Sequence, residues 1–353
     1  MVSIARHELD DTCDCVITNN VYVGDKMIKK ISLVLMMLFC VNLIASEKIE
    51  KLVIAGPFAS VSHPIMHMIE TGALSDVAKK VEFRLWKNPD ELRAMVLNKE
   101  VQFTAVPTNV GAILYNKGVD IKLLNVSVWG ILGMITRDKN LKTLKDFRGK
   151  EIAMPFRADM PDIVFEQIVK AQGMDIKKDF KLQYFGSPID AMQMLIMRRV
   201  DHALLAEPAI SMALRKTKSF PLKLIAPDLY RSADLQEEWG ETFKVEDKIP
   251  QAGMAFLGKV EGNENLIKRF NEEYEKSLKW YKTHPKEAAK LTVKTLDMLG
   301  EKGLEDSISH VRLEYVEAFS AKEDLEFFYE TLKKGNPKVI GNKLPDSGFY
   351  YKN

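Results

Sequence analysis

The chain has 353 residues, of which 46% are hydrophobic and 28% charged, a composition typical of a soluble globular protein with room for two lobes. Its formal net charge is only +2 and no basic run is interleaved with aromatic residues, which argues against nucleic-acid binding. All three cysteines precede Val41, so the rest of the chain has none for a disulfide, a thiolate metal site or a nucleophile.

Residues 27–46 are typical of a secretory signal peptide. A basic pair, Lys29 and Lys30, precedes an apolar run that is short for a bilayer span, and small residues follow at the end of the run. A retained membrane anchor and a lipid anchor on Cys40 are the alternatives, but Phe39 is large for the position before a lipidated cysteine. We therefore expect an exported protein, and we interpret residues 1–26 as a mis-called N-terminal extension.

An internal repeat predicts the architecture. Ile54-Ala55-Gly56-Pro57-Phe58 returns as Ile152-Ala153-Met154-Pro155-Phe156, with four of the five residues identical. In both copies a strand is followed by a helix, an alternating strand, a helix that starts at a capping residue and a proline, and a third strand. The predicted strands are 52–55, 81–86 and 101–106 in the first copy and 151–153, 181–185 and 202–205 in the second.

Strands that alternate with helices predict a mostly parallel sheet covered on both faces, so two copies predict two similar α/β lobes. Ligands bind at the carboxyl ends of strands in such sheets, which places a cleft between the lobes. Apolar segments at 123–136 and 252–257 are expected to cross between them. Lobe one would comprise 47–133 and 258–353, and lobe two 134–257. The amphipathic segment 263–283 is expected to pack on lobe one.

Four segments carry a resemblance to a known family: 144–153 (LKDFRGKEIA), 199–208 (RVDHALLAEP), 283–289 (THPKEAA) and 344–350 (LPDSGFY). Together they resemble the periplasmic solute-binding proteins of the nitrate, sulfonate and taurine type, which include binders of thiamine-pyrimidine precursors. The resemblance implies a type II periplasmic binding protein fold, a periplasmic location, and the permease of an inner-membrane ABC importer as partner. We expect a monomer without cofactor or metal.

The leading hypothesis is a binding component of an importer for a sulfonate, a nitrate-like anion or a pyrimidine-type heterocycle. One alternative is an enzyme on the same fold, such as a sulfinate hydrolase or a pyrimidine-forming enzyme. Such enzymes use cysteine, which the mature chain lacks, and the sequence has no Walker loop, GxGxxG, GxSxG or HExxH pattern. A periplasmic sensor component is the other alternative.

Four loops are expected to line the cleft, because each follows a strand of the repeat and precedes a helix N-terminus, where free N–H groups favour anions. They are Phe58–His63, Pro107–Asn109, Phe156–Met160 and Ala206–Pro208. Their small polar side chains are expected either to cap the helices or to contact ligand. His63 and His67 have the spacing of two metal ligands, but no further metal-type cluster accompanies them, so hydrogen bonding by His63 is preferred.

Charged and aromatic residues complete the predicted site. Arg157 is expected either to bind an acidic group of the ligand or to pair with Asp159, and Glu207 either to accept a donor or to support its turn. These opposite charges favour a zwitterionic ligand or one with both donor and acceptor edges. Aromatic faces suit a ring, although Trp86 is more typical of a core residue. The expected ligand-binding residues are Phe58, Ser60, Ser62, His63, Thr108, Asn109, Trp129, Phe156, Arg157, Ala158, Asp159 and Glu207.

Overall fold

The computed structural model describes residues 48–225 and 228–352, so the expected signal peptide and N-terminal extension lie outside the described residues. The strands are β1 (Leu52–Gly56), β2 (Val81–Leu85), β3 (Phe103–Pro107), β4 (Ile121–Leu123), β5 (Asn125–Gly130), β6 (Leu132–Thr136), β7 (Glu151–Pro155), β8 (Lys181–Phe185), β9 (His202–Ala206), β10 (Tyr230–Asp234), β11 (Ala252–Leu257) and β12 (Arg312–Glu317).

The α-helices are α1 (His63–Glu70), α2 (Pro89–Leu97), α3 (Thr108–Asn116), α4 (Met160–Ala171), α5 (Ile176–Asp179), α6 (Pro188–Ile196), α7 (Ala209–Lys218), α8 (Leu222–Ile225), α9 (Leu235–Phe243), α10 (Glu264–Thr283), α11 (Pro285–Thr295), α12 (Glu301–Ile308) and α13 (Lys322–Gly335). Short 3₁₀ helices lie at Leu144–Phe147 and Pro337–Ile340. Within 48–225 and 228–352, none of the helices is long and apolar enough to cross a membrane.

Two sheets organise the described chain, and they confirm the internal repeat. The seven-stranded sheet has the order β12-β5-β11-β3-β1-β2, with β4 paired to β11, and the five-stranded sheet has the order β10-β6-β9-β7-β8. In each sheet the first strand of the repeat lies between the second and the third, and all three run parallel. The predicted two-sheet α/β architecture is therefore present.

The expected parallel pairing is confirmed for the repeat strands, whereas antiparallel pairing occurs where the crossing strands join each sheet. β11 runs antiparallel to β3 and β4, and β6 runs antiparallel to β9. The physical reason is the path of the chain. β5 and β6 are separated by Ile131 alone and belong to different sheets. The chain therefore enters each sheet at the edge where the repeat strands end, so the entering strands β6 and β11 run in the opposite direction.

The return crossing ends before β11. The backbone N–H groups of Ile249 and Gln251 donate to Trp129 O (2.8 Å) and Val128 O (3.0 Å) of β5, so the chain has rejoined the larger sheet by residue 249. β11 then lies in that sheet along its whole length. The lobe boundaries themselves remain a prediction.

Local sequence signals explain the helices around the cleft. The side chain of Asn88 accepts from the backbone N–H groups of Asp90 and Glu91, and that of Ser187 accepts from Asp190 N, so both predicted cap-then-proline starts are present. The long helix α10 buries an apolar stripe that includes Phe270, Tyr274 and Leu278 and packs against α1, as its periodicity predicted.

Candidate functional site

A cavity of about 100 Å³ lies where the repeat strands of both sheets end. The lining residues of the larger sheet's side are Pro57, Phe58, Ala59, Val61, Trp86, Lys87, Pro89, Val106, Pro107, Gln251 and Ala252. Those of the crossing and the smaller sheet's side are Ile131, Leu132, Phe156, Asp159, Met160, Pro161, Pro188 and Ala206. Each of the four predicted loops contributes at least one of these residues, in accordance with the strand-end rule.

The cavity wall is dominated by apolar and aromatic groups. Phe58 and Phe156, the residues repeated at the ends of β1 and β7, both line it, and Trp86 follows the end of β2. A concave, largely apolar space with few polar groups is the usual form of a small-molecule site.

The loop that carries Phe156 has an unusual backbone. Phe156 and Ala158 have φ angles of 56° and 60°, in the left-handed region that residues with a Cβ rarely adopt. Such conformations persist where surrounding contacts enforce them and they cluster at ligand sites. Here the N–H of Ala158 donates to the carboxylate of Asp162 (2.7 Å) and the N–H of Asp159 donates to Phe156 O (3.2 Å), which fixes the loop.

Asp159 is the one acid among the described lining residues. Its carboxylate accepts from its neighbour's N–H, Met160 N, at 2.8 Å and thereby caps α4. Burial raises the pKa of Asp159 to about 6, although the Met160 N–H and the nearby Arg93 oppose the shift. The predicted ion pair with Arg157 is absent among the described residues, since the exposed Arg157 guanidinium instead lies 5.5 Å from the ring centre of Tyr184.

Two buried side-chain donors of cavity-lining residues have no hydrogen-bond partner in the described part of the chain. These are the indole Nε1 of Trp86 and the amide Nε2 of Gln251, whose residues are 4% and 2% exposed. The other side-chain atom of Gln251, Oε1, accepts from Ile131 N at 2.9 Å, which holds the amide against the crossing between the sheets. Both donor atoms lie behind the apolar surface of the wall, so a molecule in the cavity contacts the apolar parts of these residues.

Glu207 does not line this cavity. It is 1% exposed, and its carboxylate pairs with Arg231 and accepts from Ser211 N (3.1 Å) and Ser211 Oγ (3.2 Å). These contacts fit the alternative prediction, in which Glu207 has a structural role. Because Arg231 compensates the charge internally, Glu207 has no unpaired charge to offer a ligand.

His63 and Trp129 are also committed to protein partners. The imidazole of His63 lies 2.8 Å from Tyr281 Oη and 2.9 Å from Phe58 O, and burial lowers its pKa to about 4. Trp129 Nε1 donates to Glu314 O (3.1 Å), and Lys248 lies over the indole ring. Neither residue is in the cavity wall.

The small polar residues of the predicted site are buried among protein groups as well. Thr108 Oγ1 donates to Pro250 O at 2.6 Å, and Asn109 Nδ2 donates to Val339 O at 3.3 Å. Ser60 and Ser62 are fully buried and do not line the cavity. Of the predicted residues, Phe58, Phe156 and Asp159 therefore line it, while exposed Ala158 and Arg157 lie in the same loop without forming its wall.

Trp86, Gln251 and, at the rim, Lys87 are the polar wall residues that the predicted site left out. The sequence favours a core position for Trp86, although an indole at a strand end fits either role. Gln251 would have been found from the direction of β11, since the start of an antiparallel strand lies at the edge where its parallel neighbours end. A polar residue there faces the same edge as the four loops.

The fold is shared with binding components of transport systems. An ABC transporter structure from Parabacteroides distasonis is similar with a TM-score of 0.71 at 23% identity, over 87% of this chain and 100% of that chain. The periplasmic aliphatic sulphonate binding protein of Escherichia coli is similar with a TM-score of 0.62 at 14% identity, over 86% and 92%. The periplasmic nitrate-binding protein of Synechocystis has a TM-score of 0.63 at 12% identity, over 83% and 84%. These likenesses establish a periplasmic binding protein fold.

The family follows from the sequence itself. The profile of the NMT1/THI5 like family matches residues 80–288, more than half of the chain, and the protein belongs to that family. The resemblance carried by the four sequence segments is thereby confirmed. Comparison with curated proteins finds no significant match.

Proposed function

We propose that the protein is the periplasmic solute-binding component of an ABC importer, and that it holds a small molecule between its two sheets and delivers it to the permease. The observation that carries the proposal is the partly open cavity at the carboxyl edges of both sheets, lined by all four repeat-related loops. Family membership and the fold shared with sulphonate- and nitrate-binding proteins support it.

Binding without chemical turnover fits the composition of the wall. A hydrolytic or group-transfer enzyme needs a nucleophile or an acid–base pair against the substrate. The described wall offers one acid, Asp159, and one rim lysine, Lys87, with neither a histidine nor a cysteine beside them. We further propose that the monomer reaches the periplasm after cleavage of residues 27–46 and that its two lobes close on the ligand.

The cavity can be tested directly by filling it. Thermal-shift screening of the chain from Glu47 onward against small organic solutes, followed by calorimetry on the best compound, should find a ligand. Ala59→Trp places an indole in the cavity and should abolish its binding. Ala94→Trp, on the exposed face of α2 and outside the cavity, is the matched control and should leave affinity unchanged.

Two outcomes would contradict the proposal. One is equal affinity in wild type and Ala59→Trp, which would place the ligand elsewhere. The other is the absence of binding by every class of solute in the screen. The proposed location is tested separately by cell fractionation, in which a periplasmic chain processed near Glu47 is expected.

A further inference from the structure

We infer that a second surface of the protein, remote from the cavity, binds the surface of an anionic phospholipid membrane. This surface consists of three exposed apolar side chains, Phe220, Leu224 and Ile225, which we call the apolar tip, and of the basic side chains around them. The inference goes beyond the proposed function, and it does not depend on the cavity or on its ligand.

The apolar tip follows the end of α7 and includes the end of α8. Phe220 is 82% exposed, Leu224 75% and Ile225 64%, although side chains of these types are most often buried. Single exposed apolar residues are common on protein surfaces, but a group of them marks a site that contacts a partner or a membrane. The tip is therefore a surface that something outside the described chain would cover.

Hydrogen bonds hold the tip in this exposed arrangement. The backbone N–H of Lys223 donates to Ser219 O (2.9 Å), and the guanidinium of Arg198 donates to Ile225 O (3.4 Å). Leu222 is the half-buried residue of the turn and packs against the apolar core beneath it. Because Leu222 anchors the turn on the core, the tip side chains on either side of it face outwards.

The charge around the tip identifies its partner. The segment 208–225 contains no acid. Arg215 pairs with Asp306, but the lysines of this segment are exposed and form no ion pair within the described chain. Together with the exposed Arg198 they form what we call the cationic collar: Arg198, Lys216, Lys218 and Lys223.

A collar of one sign around an apolar tip matches a layer of anionic headgroups above hydrocarbon. Apolar side chains enter the boundary between headgroups and acyl chains, while basic side chains remain at the headgroups and are attracted to their charge. Lysine is depleted in protein–protein interfaces, so a lysine-rich collar fits a protein partner less well. The combination favours a lipid surface.

The tip lies at the edge of the smaller sheet that is opposite to the cavity. β9 ends at Ala206, which lines the cavity, whereas Arg198 precedes the start of β9 and contacts Ile225. α7 leads away from the cavity edge over 10 residues, which span about 15 Å. A membrane on the tip therefore leaves the cavity accessible to solute, and it would hold the protein beside an inner-membrane permease.

Vesicle sedimentation measures this binding. The chain from Glu47 is used, because it contains both sheets and every described helix but lacks the apolar segment 31–45. Vesicles of phosphatidylcholine alone are compared with vesicles that also contain phosphatidylglycerol. The protein should bind the anionic vesicles about 25-fold more tightly or better, since each basic residue near an anionic surface contributes about fivefold. Added salt should remove most of this difference.

Two pairs of variants assign the binding to the tip and to the collar. Leu224→Ser should lower the affinity for anionic vesicles by about 10-fold. Leu97→Ser, at a similarly exposed leucine (71%) of α2, is its matched control and should leave the affinity unchanged. Lys218→Gln/Lys223→Gln should lower the affinity by about 25-fold. Lys268→Gln/Lys279→Gln removes two exposed lysines of α10, which packs against β12 of the larger sheet, and should lower it by less than about fivefold.

A label at the tip separates insertion from mere attachment. The chain from Glu47 has no cysteine, so Leu224→Cys and Leu97→Cys each accept a single environment-sensitive dye. On anionic vesicles the emission of the dye at position 224 should shift to the blue, because the dye enters an apolar environment. The emission of the dye at position 97 should not shift.

Three outcomes would overturn the inference. One is equal binding to both kinds of vesicle, or binding to neither. Another is equal affinity of Leu224→Ser and Leu97→Ser for anionic vesicles, once circular dichroism shows that both are folded. The third is an unshifted emission of the dye at position 224, which would assign the tip to a protein partner. Each of these results leaves the proposed function standing, because solute binding is measured without vesicles.

Discussion

The Nδ1 atom of His63 lies 2.8 Å from the hydroxyl oxygen of Tyr281, which joins the loop after β1 to the C-terminal part of α10. The other ring nitrogen lies 2.9 Å from Phe58 O, so it carries the proton and donates, and Nδ1 accepts from the tyrosine. Both contacts are satisfied by the neutral imidazole. Phe58 lines the cavity, so this histidine supports the wall from behind.

The buried His63 makes stability depend on pH. Its folded-state pKa is lowered from 6.5 to about 4 by burial, so the unfolded chain binds the proton more readily between these values. The contribution of neutral His63 to the free energy of unfolding should therefore be fully present above pH 6.5. It should be lost as the pH drops towards 4, which lowers the free energy of unfolding by roughly 3 kcal/mol at most. Urea denaturation at pH 7 and pH 4.5 measures this loss.

His63→Gln should reduce the difference between the two pH values, whereas His284→Gln, at an exposed histidine, should leave it unchanged. An equal pH dependence in His63→Gln and wild type would contradict the assignment. The expected lower stability of His63→Gln at pH 7 does not affect this comparison, which uses only the change with pH.

The sequence predicted the positions of the site loops much better than it predicted the functional side chains. The repeat of Ile-Ala-x-Pro-Phe placed Phe58 and Phe156 at equivalent strand ends, and both line the cavity. The roles of His63 and Glu207 depended on partners far along the chain, Tyr281 and Arg231, which no local pattern identifies. For the same reason the sequence could not decide whether Trp86 Nε1 has an acceptor in the core.

Asp159 should show the opposite pH dependence from His63. Burial raises its folded-state pKa from 3.8 to about 6, so the folded chain binds the proton more readily between these values, and stability falls as the pH rises through them. Asp159→Asn keeps an oxygen to cap α4 and removes the charge. Its free energy of unfolding should exceed that of wild type at pH 7.5, and the difference should vanish near pH 3.5.

Asp175→Asn provides the control for this comparison. Asp175 caps α5 by accepting from the N–H groups of Lys177 and Lys178, which lower its pKa, so removal of its charge should not stabilise the protein at pH 7.5. A lower free energy of unfolding for Asp159→Asn than for wild type at pH 7.5 would contradict this prediction, because it would show that the charged carboxylate stabilises the fold.

The Glu207–Arg231 pair should contribute asymmetrically to stability. Arg231→Met leaves the carboxylate of Glu207, at 1% exposure, buried without its partner, which costs about 3–5 kcal/mol. Glu207→Gln leaves Arg231, whose side chain is 31% exposed, able to reach water, so its cost should be smaller. Urea denaturation of both variants and the double variant gives the coupling between them.

The same Glu207→Gln variant tests the placement of the site. Because Glu207 lies outside the cavity wall, its affinity for any cavity ligand should stay within about twofold of wild type, once both proteins are confirmed to be folded. A larger loss would bring Glu207 back as a ligand contact, as the sequence first suggested. Arg157→Ala should likewise leave the affinity for a cavity ligand unchanged, because the guanidinium lies over Tyr184.

Gly253, in β11, lies very close to the backbone of Asn125 at the start of β5. A Cβ atom at this position would lie 1.7 Å from Asn125 O and 2.7 Å from its carbonyl carbon, both of which belong to the backbone. Side chains cannot move aside to relieve this clash, so Gly253→Ala must displace β5 or β11 and should lower the free energy of unfolding by about 3 kcal/mol or more.

Gly186→Ala is the matched control, because its nearest neighbour is a side-chain oxygen at 3.7 Å, and it should be tolerated. Since Gln251 precedes this strand and holds Ile131 N, a shift of β11 should also weaken ligand binding in Gly253→Ala. Equal stability of the two alanine variants would contradict the close approach of the two strands.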